Sequence, residues 1–194
     1  MNFANKISLS RIFAIPFFIA SLYYYCWFKD EIFRWFSLGI FLFTVITDFA
    51  DGLAARIRKE KTSIGKILDP LADKLLLINA FVWLYYFRGC LPFKYRIPFV
   101  VVLIVISRDL IILLGVLILF LFKVEIDISP NIWGKLTTFS QMLTILLLLF
   151  DFKYTPLFWN LALVFTIASG LLYIKRGITA LNIFDLGGKN GRSK

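Results

Sequence analysis

Six long apolar runs, separated by short breaks that carry charge or proline, constrain this chain more than any other feature. A helix needs about 20 mostly apolar residues to cross a bilayer. Runs of that kind cover 7–28, 33–54, 70–87, 97–122, 134–150 and 157–174. The breaks are Lys29–Glu31, Arg56–Lys66, Arg88–Arg96, Lys123–Asn131 and Asp151–Pro156. Residues are 60% hydrophobic and 18% charged, where a soluble domain is nearer half and a quarter. The expected fold is all-α: one polytopic membrane domain over 1–194 with six transmembrane helices, and a disordered polar tail at 187–194. The fourth run is overlong, so it tilts or turns its second half along the surface. The apolar stretch Ile12–Phe28 lacks a small-residue cleavage site and precedes further spans, so it reads as a span and not as a signal peptide. No repeat and no linker stands out.

The net charge of +10 suits nucleic acid in a soluble protein. In so apolar a chain, topology and anionic lipid explain it better, because cytoplasmic flanks collect Lys and Arg. With the N-terminus inside, fifteen Lys and Arg flank the inner side and six the outer, with Arg108 inside the fourth run. Both termini are therefore expected in the cytoplasm, and the protein in the cell membrane with no nucleic-acid partner. Histidine is absent, which excludes His-based catalysis and His metal sites. Cys26 and Cys90 form no metal spacing and no framework. Both fall near outer flanks, where a bridge is conceivable, but two thiols are the expectation.

Within the span pattern, Thr47–Lys74 concentrates acid where acid is costly. Asp48 and Asp51 close the second run, and Asp69 and Asp73 open the third. Spacings of three and four residues put each pair on one helical face. The short inner loop makes the two helices antiparallel neighbours, so four carboxylates can share a pocket. An Asp deep in a span costs about 2.5–3.5 kcal/mol even on insertion scales, and four together repel. Two divalent cations would neutralise them. An all-oxygen donor set favours hard ions, Mg²⁺ before Mn²⁺. Such a pair commonly holds a pyrophosphate through in-line displacement at phosphorus. The blander reading, solvated ends of spans, accounts poorly for four acids at helical spacing with Gly and Ala between them.

The pattern Asp48-x2-Asp51-Gly52-x2-Ala55-Arg56-x8-Gly65-x3-Asp69-x3-Asp73 resembles the CDP-alcohol phosphatidyltransferase signature at every defined position. Six spans, with the signature bridging the second and third, also resemble that family. The resemblance implies that the four aspartates bind two metal ions and that Asp73 is the general base. It implies CDP-diacylglycerol as donor, with Gly52 and Gly65 at nucleotide positions where no side chain obstructs the backbone. Arg56 would pair with an aspartate or a phosphate. A homodimer is implied by the resemblance alone.

Asn5, Ser8 and Arg11 form a loose stripe at the start of the first run. It is similar to the family's Asn-x-x-Thr-x-x-Arg, part of the nucleotide site, with Arg11 also available to the acceptor. A helix start with a snorkelling cation is the plainer alternative. Arg108 and Asp109 interrupt the fourth run. Adjacent helical residues do not face each other, so simple mutual neutralisation is not expected. Arg108 suits phosphate recognition, with a structural interhelical ion pair as the competing role. Lys135 either completes that anion pocket or only obeys the inside bias. Trp83, Tyr85 and Tyr86 fit an interfacial belt.

The whole-chain pattern is most similar to bacterial phosphatidylglycerophosphate synthases, which implies sn-glycerol 3-phosphate as acceptor. One departure is Leu114–Leu117, where many such synthases carry another arginine. Ser107-Arg108-Asp109 also resembles cardiolipin synthases of the CDP-alcohol type, whose acceptor is phosphatidylglycerol. From other classes, a cation transporter fits poorly with the basic Arg56–Lys66 loop beside the acids. A membrane prenyltransferase fits poorly with their spacing.

Overall fold

The computed structural model describes the backbone over 3–58, 65–121 and 132–190, and side chains over 10–47, 74–115 and 132–175. The described residues form six α-helices and one short 3-10 turn: α1 Phe3–Phe28, α2 Glu31–Arg58, α3 Gly65–Tyr86, α4 Phe99–Leu121, α5 Ile132–Leu149 and α6 Thr155–Asn190, with the turn at Phe87–Gly89. Each apolar run becomes one helix. Three contain, within described residues, a stretch long and apolar enough to cross a bilayer: Ser10–Phe28, Ile132–Leu149 and Thr155–Lys175. The 187–194 stretch, expected to be irregular, enters α6 over 187–190, and 191–194 lie outside the described residues.

Short connections make the helix boundaries chemically legible. Asp30 caps α2 by accepting a bond from the Ile32 amide at 3.0 Å, which satisfies one of the free donors at a helix start. Asp151 ends α5 at φ 52°, a left-handed conformation that Asp tolerates better than bulky residues. Its carboxylate then accepts the Lys94 amide at 2.9 Å, tying the α5–α6 corner to the α3–α4 loop.

Helix contacts run in a ring: α1 packs on α2 and α3, α3 on α4, α4 on α6, α6 on α5, and α5 back on α2. Phe18, Leu22, Phe41, Leu77, Phe81, Val105 and Ile145 fill the middle and are almost completely buried. Ser21 and Ser37 bond each other at 2.7 Å across α1 and α2, a small-residue contact that lets helices approach where lipid gives no hydrophobic drive. Outside, Phe13, Phe17, Phe43, Phe139, Leu157 and Leu171 are exposed. Exposed apolar area on this scale is unlike a monomeric soluble protein and marks a membrane-embedded chain.

One end of the bundle is stapled. Cys26 at the end of α1 and Cys90 after α3 form a disulfide with Cα atoms 5.2 Å apart, so the expectation of two free thiols is corrected. Sequence spacing of 64 residues hid what the α1–α3 contact creates. Lys29 adds a bond to the Cys90 carbonyl. Tyr25 donates to Glu31 at 3.0 Å, and Glu31 pairs with Arg34 at 2.8 Å. Rings of Tyr23, Trp83, Tyr86 and Phe87 cluster around the same end. A bridge closing a long loop is commonly worth about 2–4 kcal/mol. Reduction, or Cys26→Ser, is therefore expected to lower the thermal midpoint of detergent-solubilised protein by several degrees; equal midpoints would count against a stabilising bridge.

Candidate active site

The acidic stretch occupies the opposite end from the disulfide. Helical backbone is continuous through Asp48, Asp51, Gly52 and Arg56 in the last turns of α2, and through Gly65, Asp69 and Asp73 in the first turns of α3. Each aspartate pair therefore shares one helix face at that end, by the 3.6-residue period. The side chains of these residues, and those of Asn5 and Ser8 in the first turns of α1, lie outside the described residues. Among the described residues, no group of three or more His, Cys, Asp or Glu is placed to hold a metal ion.

What is described beside the acidic turn of α3 is a buried ionic cluster. Lys74, the residue after Asp73, reaches Asp109 Oδ1 at 2.9 Å and Thr138 Oγ1 at 3.4 Å. Arg108 Nη1 donates to the same Asp109 oxygen at 2.6 Å, and Nη2 donates to Ser169 Oγ at 2.6 Å. Asp109 is fully buried, Arg108 is 7% exposed and the Lys74 side chain 13%. Four helices, α3 to α6, meet at this point.

Neighbouring sequence makes room for it. A methyl group at Gly134 would sit 3.6 Å from Arg108 Nη2, and one at Gly170 would sit 3.6 Å from Arg108 Cγ. The arginine side chain thus lies against two glycines, its guanidinium against Gly134 on α5 and its aliphatic arm against Gly170 on α6. Polar contacts continue below it: Thr137 bonds the Phe165 carbonyl at 2.9 Å, and Gln141 reaches Thr166 at 3.4 Å.

The expectation that Arg108 and Asp109 do not neutralise each other is corrected. Their Cβ atoms do point about 100° apart, but the long arginine arm turns back to the carboxylate. Arg11 is buried near the start of α1, at 2% exposure. Lys135 is exposed, one residue from the Gly134 that faces Arg108. Arg108 and the Lys135 turn are thus adjacent.

Sequence reasoning missed Lys74, Thr138 and Ser169, and missed Asp109 as the centre of the cluster. A signal was present: Lys74 is the one cation in the 70–87 run and Asp109 the one acid in the 97–122 run, and opposite charges inside spans pair within a bundle.

The family model described as CDP-alcohol phosphatidyltransferase matches residues 1–170. The chain belongs to the CDP-alcohol phosphatidyltransferase family. The matched region contains the whole acidic stretch, the Arg108–Asp109 pair and the α5 start. A similar protein from Aquifex aeolicus is 33% identical over 75% of this chain and 74% of its own. One from Bacillus subtilis is 32% identical over 93% and 97%. One from Rickettsia bellii is 29% identical over 90% and 94%. All three carry the name CDP-diacylglycerol–glycerol-3-phosphate 3-phosphatidyltransferase.

The Arg108 seat in this family member calls for small residues at positions 134 and 170. Ordinary van der Waals spacing at 3.6 Å leaves room for one methyl group and no more. Gly134→Ala is expected to be tolerated. Gly134→Leu is expected to cost about 1–3 kcal/mol by overpacking, seen as a lower thermal midpoint in detergent; a midpoint unchanged by leucine would show that the seat is loose.

Proposed function

We propose that this chain transfers the phosphatidyl group of CDP-diacylglycerol to sn-glycerol 3-phosphate, giving phosphatidylglycerophosphate and CMP. The observation that carries the reading is the family's acidic signature on two consecutive helices, in a chain whose relatives over most of its length are named for this activity. Relatives named for glycerol 3-phosphate favour that acceptor over phosphatidylglycerol.

The proposed topology is six spans in the cell membrane, one domain, with both termini and the active site facing the cytoplasm. Two observations support it: the basic bias at the α2–α3 end and a disulfide at the other end. Disulfides persist on the oxidising side of a membrane.

Asp48, Asp51, Asp69 and Asp73 would hold two divalent ions, Mg²⁺ before Mn²⁺. The donor set fits: all carboxylate, in helical pairs, beside a lysine already committed to Asp109. When bound, such ions supply charge neutralisation to the pyrophosphate and to departing CMP. Asn5, Ser8, Gly52, Arg56 and Gly65 would form the donor subsite. Arg108, with Lys135 and Arg11, would hold the acceptor's phosphate. Asp73 takes the proton of the acceptor hydroxyl, whose oxygen bonds to the β-phosphorus as the phosphoanhydride bond to CMP breaks. Positioned proton transfer of this kind contributes about 10²–10⁴-fold.

Purified protein, CDP-diacylglycerol and Mg²⁺, offered a panel of alcohols with product lipids identified by mass, test the reading. Glycerol 3-phosphate is expected to yield phosphatidylglycerophosphate; cardiolipin formed from phosphatidylglycerol alone would replace it with the cardiolipin synthase reading. Asp73→Asn is expected to abolish transfer while part of CDP-lipid binding survives. Binding and transfer lost together would make Asp73 chiefly a ligand.

A further inference from the structure

Two cations in the buried cluster share one carboxylate oxygen. Lys74 and Arg108 both end on Asp109 Oδ1, so their nitrogens are separated by no more than two hydrogen-bond lengths. Among the described residues, the cluster holds two positive charges and one negative. Arg108 Nε, a buried donor, and Asp109 Oδ2, a buried acceptor, find no hydrogen-bond partner among the described residues. Leaving such groups unmatched is costly in a protein interior. A surplus positive charge, an unused donor and an unused acceptor together suit one ligand chemistry: a phosphate monoester that also carries a hydroxyl.

We infer that Asp109 is a positioning residue for the acceptor subsite, holding Lys74 beside Arg108 as a paired cationic clamp for the acceptor's phosphate. This rests on the acceptor reading above and adds Lys74 and Asp109 to it. Ser169 fixes the far guanidinium nitrogen, and Thr138 steadies Lys74, so the clamp is held from α5 and α6 as well. Lys74 also follows Asp73 directly. Anchoring Lys74 therefore sets the rotation of the α3 turn that carries the general base, and places phosphate site and base in one register. Without the shared oxygen, two like charges this close repel and separate.

Kinetics of the purified full-length protein test this, with glycerol 3-phosphate and CDP-diacylglycerol varied in turn and thermal midpoints measured alongside. Removing one charged hydrogen-bond partner commonly costs enough for about a ten- to hundredfold change. Asp109→Asn is expected to raise the KM for glycerol 3-phosphate at least about tenfold, with the CDP-diacylglycerol KM within about twofold of wild type. Asp109→Glu, which restores the charge, is expected to recover part of the loss. Lys74→Met leaves Arg108 and Asp109 as a neutral pair and is expected to raise the same KM, so it serves if Asp109→Asn fails to fold. The double variant is expected to be no worse than the worse single one. A lowered midpoint with both KM values unchanged overturns the inference, as does an equal rise in both. Wild-type protein inactive with glycerol 3-phosphate overturns the acceptor reading itself, and this inference with it.

Discussion

The carboxylate of Asp109 is the constraint around which this end of the bundle is arranged. It is fully buried and takes two cations, one from its own helix and one from α3. Breaking a buried pair by removing one partner commonly costs about 3–5 kcal/mol, because the other charge stays behind. Lipid supplies no counter-charge and little hydrophobic drive between helices. Orientation of α3 against α4 thus rests on ions, with Arg108–Ser169 extending the same network to α6 and Lys74–Thr138 to α5.

The two ends of the ring are held by different chemistry. At one end, the Cys26–Cys90 bridge and stacked rings around Phe87 join α1 to α3 and its following turn, and the Lys94–Asp151 hydrogen bond ties the α3–α4 loop to the α5–α6 corner. At the other, charged groups meet inside the bundle, and the acidic turn of α3 leads directly into them. A rigid far end and a polar near end suit a membrane enzyme. Substrate phosphates need cations and hydrogen bonds, and those groups keep their positions only if the helices carrying them are fixed elsewhere.

Burial changes how the cationic residues are understood. Arg108 is not a free arm reaching for an anion; it is seated against Gly134 and Gly170 and tied at two nitrogens. A preorganised guanidinium loses little freedom on meeting a phosphate, which favours recognition of planar oxygen pairs. Lys135, exposed on the same turn of α5 as Gly134, belongs to a different environment from the buried Arg108.

Sequence alone determined the six helices, because apolar runs and charged breaks report directly on what lipid accepts. It also determined the family, since four aspartates at fixed helical spacing with Gly52 and Gly65 between them leave few alternatives. Only the tertiary structure decided the pairings. Cys26 and Cys90 meet because α1 packs on α3, which no local pattern records. Arg108 and Asp109 neutralise each other because a long side chain can double back, whatever its Cβ direction. Lys74 joins them because α3 crosses α4 at that level. Periodicity fixes which face a residue occupies on its own helix; which partner that face meets depends on contacts between segments far apart in the chain.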